Sequence, residues 1–417
     1  MDIISKAKLI KEHNGTLYIV GGAVRDELLG IECADKDYCI TGLNSKTFKK
    51  LFPSAQEAGT DFKVFLLDGE EYALARQEKK TDVGYKGFKV YSTEYITIEE
   101  DLKRRDITIN AIAKNILTGK YIDPYGGILD LKNKVIRHVS EAFAEDPLRV
   151  YRVARFAAKF GFLVHPNTIN LMFSLKKELG SLRVERVFLE LRKALSTKHP
   201  SEFFKCLKSS NLLSVHFKEV ENLISVPQPK QYHPEGDVFN HTMIVIDKVA
   251  NSTKDPSVIF AALVHDFGKA ETKKELLPKH YGHDLAGIDR VKTICKRLKL
   301  PTAWTKKGIE TAKYHMRAGT IYNMRPYKIA KFFNVLNRSS IGISDLEIIT
   351  LADDMLDRPN TKFATLAHET LKTINGSTLI KEGITIESKG KEFFLDELYK
   401  RQAKYIKKYI DSNNNIW

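Results

Sequence analysis

The sequence predicts an α+β protein whose β-strands are confined to the first third of the chain. Short β-like runs such as YCITG, KVFLL, EYALAR and YITI alternate with short helical segments in residues 1–138. From Glu145 onward strand patterns almost vanish, and apolar residues recur at helical spacing. We therefore predict a mixed head followed by all-helical domains.

A pair of glycines follows the first predicted strand. Residues 17–20 are apolar and partly β-branched, which suits a buried strand, and Gly21 with Gly22 lets the backbone turn tightly against a bulky ligand. A helix that begins at this turn directs free N–H groups toward an anion. Arg25 lies one helical turn further on. This order predicts a site for a phosphate-bearing ligand.

Two aspartates lead into the next predicted strand. Asp35 and Asp37 are two residues apart, and in an extended segment this spacing places both carboxylates on one face. Carboxylate oxygens are suitable ligands for a hard cation such as Mg²⁺. Glycine pairs and DKD turns are each common in proteins, so the prediction of a site depends on their order along the chain.

The full pattern, GGAVRDELLG followed by DKDY, resembles the signature of the class II tRNA nucleotidyltransferase and bacterial poly(A) polymerase family. The resemblance implies a head similar to DNA polymerase β, in which Asp35 and Asp37 bind Mg²⁺ and Gly22 and Arg25 contact the nucleotide. It also implies a third carboxylate. Glu71, in the strand-like EEYALAR, is our candidate, and a structural surface glutamate is the alternative.

LKRRDITINAIA, at residues 102–113, resembles a second motif of this family. The resemblance implies that Arg105 binds triphosphate oxygens in fork geometry, opposite Arg25. Asp106 and Asn110 are expected to orient the arginines and the ribose. DPYGGILDL follows at residues 123–131, matches the next motif and is interpreted as a turn that links head to neck.

The segment EDPLR resembles the nucleotide-choosing EDxxR motif of the family. Asp146 and Arg149 are three residues apart, which makes them neighbours on one helical face, and Arg152 follows one turn later. An acceptor beside a donor fits the amino group and ring nitrogen of cytosine and adenine and rejects uracil and guanine. A helix cap is the alternative role for Asp146, because Pro147 follows it.

The chain is basic, with 67 Lys and Arg against 52 Asp and Glu and a net charge of +15. Residues 146–208 contain 13 basic and 5 acidic residues. Clustered positive charge favours a polyanionic partner, and the resemblance makes that partner tRNA. No signal-peptide core or membrane-length apolar run is present, and the four cysteines lack metal or disulfide spacing. We therefore expect a cytoplasmic protein without a membrane partner.

A second constellation is centred on VHDFGK at residues 264–269. The order of its histidines and aspartates resembles the HD phosphohydrolase superfamily: His241, His265, Asp266, His283, His315 and Asp354. The resemblance implies a transition metal, with Ni²⁺ among the candidates, that activates water against a phosphoester. Asp353 competes with Asp354 as the final ligand. His283 and His315 are each either further ligands or surface histidines.

Four domains are predicted. They are a nucleotidyltransferase head at 1–138, a helical neck that recognises the base at 139–225, an HD domain at 226–350 and a helical tail at 351–417. VPQPKQYHPEG, at residues 226–236, contains three prolines and is predicted to be a linker. TDVGYKG, at residues 81–87, is predicted to be a mobile loop.

Together the resemblances imply an enzyme that adds C, C and A in turn to the 3′ end of tRNA from CTP and ATP. The HD domain would add 2′,3′-cyclic phosphodiesterase, 2′-nucleotidase and phosphatase activities. The nearest rival is a bacterial poly(A) polymerase, which shares the head and neck motifs but is unlike this chain in its histidine and aspartate constellation. A second rival is an HD phosphohydrolase whose head only binds nucleotide or RNA. Both a monomer and a homodimer are compatible with the sequence.

Overall fold

A computed structural model of the protein describes residues 1–33, 36–58, 64–80, 88–91, 93–356 and 362–412, with backbone alone at 78–80 and 88–91. Asp35 and the loop predicted at 81–87 lie outside the described residues. The chain forms two compact units. The first comprises Met1–Glu190 with Lys205–Leu212, and the second comprises Leu191–Phe204 with Leu213–Trp417. The finer division into four domains stays a prediction.

The described strands all lie in the first unit. They are β1 Thr16–Val20, β2 Asp37–Thr41, β3 Gln56–Ala58, β4 Val64–Leu67, β5 Glu70–Leu74, β6 Gln77–Lys80, β7 Phe88–Tyr91, β8 Ala113–Asn115, β9 Tyr121–Ile122, β10 Val135–Ile136 and β11 Leu163–Val164. Seven of them form a mixed sheet in the order β3-β4-β5-β2-β1-β8-β9, in which only the β2–β5 pair is parallel. β2, β4 and β5 coincide with the runs YCITG, KVFLL and EYALAR.

The strand predicted at YITI is wrong. Residues 93–97 form a turn, and helix α4 (Ile98–Lys103) begins directly after it. The side chain of Thr97 accepts a hydrogen bond from the Glu100 backbone, and the Glu100 side chain accepts one from the Thr97 backbone. This capping box satisfies the first free N–H groups of the helix and outweighs the β-propensity of the run.

The other helices of the first unit connect the strands and then build the neck. They are α1 Ile3–Glu12, α2 Gly22–Leu28, α3 Ser45–Leu51, α5 Gly127–Lys132, α6 Leu148–Phe160, α7 Pro166–Ser174, α8 Lys176–Leu179 and the start of α9 Val184–Leu195. Short 3₁₀ turns lie at Thr108–Asn110 and Glu141–Glu145. Tyr38 and Tyr72 stack at 4.8 Å between ring centroids under the sheet, with Phe48 and Phe65 beside them in the core.

The described part of the second unit is helical. Its elements are α10 Ser201–Ser209, which crosses the boundary, α11 Leu213–His216, α12 Lys218–Glu221, α13 Val238–Ser252, α14 Pro256–Val264, α15 His283–Arg297, α16 Thr302–Gly319, α17 Pro326–Leu336, α18 Ile343–Asp353, α19 Ala364–Thr373, α20 Gly376–Lys381, α21 Ile386–Lys389 and α22 Lys391–Ser412. Further 3₁₀ turns lie at Phe267–Glu271, Lys274–Leu276 and Ile321–Asn323.

Helix α14 is the centre of the second unit. Its residues from Ser257 to Val264 are all buried, and it packs against α13, α16 and α18. Because α14 is surrounded by other helices, the polar residues that directly follow it, His265 and Asp266, are also buried inside the second unit. Among the described residues no helix has the length and apolar character needed to cross a membrane.

Candidate functional sites

Two of the carboxylates predicted for the head, Asp37 and Glu71, lie on neighbouring strands at the centre of the sheet. Asp37 is the first residue of β2, opposite Val20 on β1 and Glu71 on β5. Paired residues on neighbouring strands point to the same face, so the exposed side chains of Asp37 and Glu71 share one face. Glu71 therefore occupies a position from which a third carboxylate can join Asp37. Its role as a ligand stays a prediction.

The glycine pair is flanked by two arginines. Gly21 has φ 71°, and a Cβ placed on it would lie 2.7 Å from Arg105 Nη1. A Cβ on Gly22 would lie 3.5 Å from Arg25 Nη2. The absence of side chains at both positions lets the guanidinium groups approach the backbone turn. Each glycine of the predicted phosphate-binding turn thus has a positively charged guanidinium group beside it.

The guanidinium group of Arg105 has one N–H that donates no hydrogen bond to the described residues. Its Nη1 donates to Asn110 O at 3.3 Å, and its Nη2 lies 3.4 Å from Asp101 Oδ2. Its buried Nε has no hydrogen-bond partner among the described residues. Because a buried unpaired donor is unfavourable, this arrangement favours an acceptor at the Arg105 guanidinium.

Arg25 is held inside the protein. It is 4% exposed, and its Nε donates to Asp26 Oδ1 at 2.8 Å while Nη1 donates to Asn110 Oδ1. Its guanidinium also lies 4.9 Å from the Phe160 ring centroid and 5.5 Å from that of Phe156, both on α6. In this conformation Arg25 ties α2 to α6, and its predicted contact with a triphosphate stays a prediction.

Asp106 connects the second head motif to the neck helix. It is buried and accepts hydrogen bonds from Ile107 N at 2.9 Å, Asn110 Nδ2 at 3.1 Å and Arg152 Nε at 2.7 Å. Burial alone would raise the pKa of Asp106, but Arg152 and Asn110 lower it to about 2. Arg152, predicted to bind the nucleotide, is therefore paired with this carboxylate.

The two residues of the EDxxR motif have different partners. Asp146 accepts from Leu148 N at 3.0 Å and forms an ion pair with Arg186 at 3.2 Å. Arg149 donates to the carbonyls of Ala142 at 2.6 Å and Arg104 at 2.7 Å. Asp146 thus caps the first N–H of α6, and Pro147 is the N-cap residue between them. The base-reading role of the pair stays a prediction.

In the second unit, the predicted histidines and aspartates converge from five helices. His241 lies on α13, His265 and Asp266 directly follow α14, His283 begins α15, His315 lies on α16 and Asp353 ends α18. Among these residues, two groups have ligand atoms within 4.8 Å of one another: His241, His265, Asp266 and Asp353, and Asp266, His283 and His315. We call these six residues the HD cluster.

Hydrogen bonds at Nδ1 orient all four histidines of the HD cluster. The acceptors are Glu235 Oε1 for His241 and His280 O for His283, both at 2.6 Å. Carbonyl oxygens of the preceding helical turn play this part for His265 and His315. A histidine whose Nδ1–H is donated carries its lone pair on Nε2, which is the tautomer of a metal ligand.

Of the two adjacent aspartates, the structure brings Asp353 to the histidines of the HD cluster. Asp353 Oδ1 lies 2.8 Å from His241 Nε2 and 3.4 Å from His265 Nε2. Asp354, the final ligand predicted from the sequence, accepts a hydrogen bond from Leu356 N at 3.0 Å, and its role as a ligand stays a prediction. Because α18 ends at Asp353, the two side chains diverge, and Asp353 joins the HD cluster.

The donor set of the HD cluster fits a transition metal. Asp266 is 1% exposed and lies 2.6 Å from Lys269 Nζ, but neither of its oxygens receives a hydrogen bond of regular geometry from the described residues. His265 Nε2 likewise has no regular partner among them. Imidazole nitrogens beside buried carboxylates thus favour a cation.

The proline-rich segment 226–236 is not the predicted linker. It folds over the HD cluster, where Glu235 orients His241 and Gln228 accepts from Lys269 Nζ at 2.8 Å. It helps to line a cavity of about 410 Å³ that Asp266 and Asp353 also line. Sequence reasoning missed Gln228 and Glu235, because prolines suggested a flexible connection and no residue spacing marks contacts made across the fold.

Comparison with known proteins identifies the family. Three family models match: "Poly A polymerase head domain" at residues 17–137, "Probable RNA and SrmB- binding site of polymerase A" at 161–224 and "HD domain" at 238–355. A "Multifunctional CCA protein" from Mannheimia succiniciproducens is 41% identical over 411 residues, which cover 94% of this chain and 96% of that protein. The chain belongs to the multifunctional CCA protein family. This confirms the predicted family resemblance.

Other members of the multifunctional CCA protein family and solved structures agree. The Haemophilus influenzae protein of that name is 43% identical over 352 residues, which cover 81% of this chain and 84% of the relative. A Thermotoga maritima CCA-adding enzyme complexed with tRNA superimposes with a TM-score of 0.63 at 21% identity, over 96% of this chain and 89% of the other. A CCA-adding enzyme in complex with CTP gives 0.63 at 23% identity, over 98% and 93%. The predicted fold class is confirmed.

Proposed function

We propose that this protein adds and repairs the 3′-terminal CCA sequence of tRNA, using CTP and ATP and releasing pyrophosphate. The observation that carries the proposal is the alignment of Asp37 with Glu71 on one sheet face, in a chain that belongs to the multifunctional CCA protein family. The tRNA backbone would be bound by the basic surplus of residues 146–208. We place the activity in the cytoplasm, where tRNA is processed.

The head residues would divide the reaction among them. Mg²⁺ held by Asp35, Asp37 and Glu71 would lower the pKa of the tRNA 3′-hydroxyl and stabilise the leaving pyrophosphate. Arg105 would donate to triphosphate oxygens beside Gly21, because its Nε has no partner among the described residues. Asp106 would hold Arg152 on the neck helix close to the head motif.

Selection of the nucleotide would rest on Asp146 and Arg149. An Asp acceptor and an Arg donor match the amino group and ring nitrogen that cytosine and adenine share. Uracil and guanine present a carbonyl oxygen to the Asp and are rejected. Binding a base requires both side chains to exchange their present partners, Arg186 for Asp146 and two backbone carbonyls for Arg149.

The HD cluster would give the chain a second, hydrolytic activity. A bound transition metal, such as Ni²⁺, would supply a water of lowered pKa for attack on a phosphoester. His241, His265, Asp266 and Asp353 would hold that metal, and 2′,3′-cyclic phosphates, 2′-nucleotides and phosphomonoesters are the proposed substrates. Lys269, 2.6 Å from Asp266, fixes the orientation of that carboxylate.

Incorporation assays separate this proposal from its rivals. Purified protein is incubated with tRNA lacking CCA and with each nucleotide singly or in combination. Incorporation of C from CTP, followed by A only after two C residues, supports CCA addition. A long adenosine tail from ATP alone would indicate a poly(A) polymerase, and no incorporation together with phosphoester hydrolysis would indicate an HD phosphohydrolase.

A further inference from the structure

Gln228 occupies an unusual position in the wall of the HD cavity. It is 6% exposed although it lies in an irregular, proline-rich segment. The neighbouring backbone is fixed, because Pro227 O accepts from His280 Nε2 at 2.9 Å and Pro229 O accepts from Tyr232 N at 3.0 Å. Gln228 and the HD cluster residues Asp266 and Asp353 line the same cavity of about 410 Å³. Its amide is thus held at the site.

The contact with Lys269 determines which end of the amide remains available. Lys269 Nζ donates to Gln228 Oε1 at 2.8 Å. An ammonium group has no acceptor, so the amide oxygen must face Lys269 and the amide nitrogen must face away from it. Gln228 Nε2 is buried and has no hydrogen-bond partner among the described residues. Both N–H groups of this amide therefore lack an acceptor within the part of the chain that the structure describes.

The groups that Gln228 and Lys269 contribute to the HD cavity indicate the kind of ligand that it binds. Gln228 Nε2 offers only donors, and the Lys269 ammonium lies beside it. Such a pair suits an oxygen that carries negative charge and excludes another donor. The HD cluster is where the phosphorus of a phosphoester would be held, and a nonbridging phosphate oxygen has the required charge.

We propose that Gln228 binds substrate in the HD cavity by donating a hydrogen bond from Nε2 to a nonbridging phosphate oxygen. The proposal rests on the phosphohydrolase function proposed above. Free phosphate, phosphomonoesters and 2′,3′-cyclic phosphodiesters share this oxygen chemistry. The segment 226–236 thereby contributes twice, orienting His241 through Glu235 and binding the substrate through Gln228.

Gln228→Glu separates binding from a merely structural role. The glutamate keeps an oxygen for Lys269 but replaces the amide donors with a second, negatively charged oxygen. Gln228→Met removes both functions at similar volume. Gln231, exposed in the same segment, provides the matched control Gln231→Glu.

Inorganic phosphate is titrated calorimetrically into each protein after loading with Mn²⁺ and removal of free metal, and bound metal is counted by mass spectrometry. We expect Gln228→Glu and Gln228→Met to raise the Kd for phosphate by about tenfold or more, with bound metal unchanged. Gln231→Glu should stay within about twofold. The KM for 2′,3′-cyclic AMP and for a phosphomonoester should rise with the Kd, while kcat changes less.

Phosphate binding within twofold of the unsubstituted protein by Gln228→Glu would overturn the proposal, because the Lys269 contact alone would then explain the residue. Loss of metal from both Gln228 variants would also overturn it, since Gln228 would act on the HD cluster rather than on the ligand. The titration does not depend on turnover. An unsubstituted protein that binds phosphate through Gln228 but hydrolyses no phosphoester would reject only the proposed hydrolytic function.

Discussion

Asp37 and Glu71 lie directly opposite each other on the parallel strands β2 and β5, with both carboxylates on the same exposed face. The adjacent pair, Tyr38 and Tyr72, faces the other way and stacks at 4.8 Å. A slip of one residue would bury the carboxylates and expose the rings, so the stacked tyrosines fix the register that aligns Asp37 with Glu71.

Glu71→Gln should lower kcat for CCA addition by about hundredfold, because it removes a charged metal ligand without changing the size of the side chain. Glu70→Gln is the matched control, since Glu70 bonds to Tyr38 and Tyr72 on the opposite face. Single-turnover incorporation of CMP measures both variants. Equal rates for Glu71→Gln and the unsubstituted protein would leave Glu71 as a surface residue.

Asp146→Ala and Arg149→Ala should relax nucleotide choice more than they weaken tRNA binding. A bidentate base contact contributes roughly 1–3 kcal/mol of discrimination, so misincorporation of UTP or GTP should rise by about ten- to hundredfold. The ratio of kcat/KM for CTP and UTP is the measurement. Unchanged fidelity with lower thermal stability in Asp146→Ala would show that Asp146 acts only as the cap of α6.

Asp106→Asn should destabilise the first unit in a pH-dependent manner. The folded pKa of Asp106 is lowered to about 2, so its charge stabilises the fold above the unfolded pKa and this contribution is lost as pH falls through the folded value. The variant should lose about 2 kcal/mol near neutral pH, and the difference should shrink below about pH 4. Urea unfolding at pH 7 and pH 3 measures it.

The exposed pair of Asp289 and Lys292 provides the control for this measurement. Asp289→Asn should change the free energy of unfolding by less than about 1 kcal/mol at either pH, because exposed ion pairs contribute little. A loss in Asp106→Asn that is as large at pH 3 as at pH 7 would contradict the assignment to the Asp106 charge.

The two adjacent aspartates at the end of α18 should behave differently. Asp353→Asn is expected to lower metal affinity by at least about tenfold, because Asp353 lies within 3.4 Å of His241 and His265. Asp354→Asn should retain the metal, and His265→Ala should lose it while CCA addition continues. Metal content after dialysis and circular dichroism test these expectations. If only Asp354→Asn loses the metal, Asp354 and not Asp353 is the ligand.

The sequence predicted the local elements better than the contacts between them. YCITG and EYALAR are recognisable as strands, but the pairing of Asp37 with Glu71 is a long-range register that local propensity does not encode. YITI has strand propensity, yet Thr97 and Glu100 have the T-x-x-E spacing of a capping box, and this local signal for a helix start prevails.

The candidate sites show the same limit. His241, His265 and Asp266 are recognisable in their order along the chain, whereas the choice of Asp353 over Asp354 depends on where α18 ends. Gln228 could not be predicted, because its role depends on Lys269 and on a proline-rich segment that folds against the cavity.

The central claim is tested most directly by adding CTP and ATP to tRNA that lacks its CCA end, with the unsubstituted protein and with Asp37→Asn. We expect the unsubstituted protein to add C, C and A in that order and to stop. Asp37→Asn should add no nucleotide while its hydrolysis of 2′,3′-cyclic phosphates stays near normal, because Asp37 and the HD cluster belong to different compact units. Comparable incorporation by Asp37→Asn, or no incorporation by the unsubstituted protein, would contradict the account.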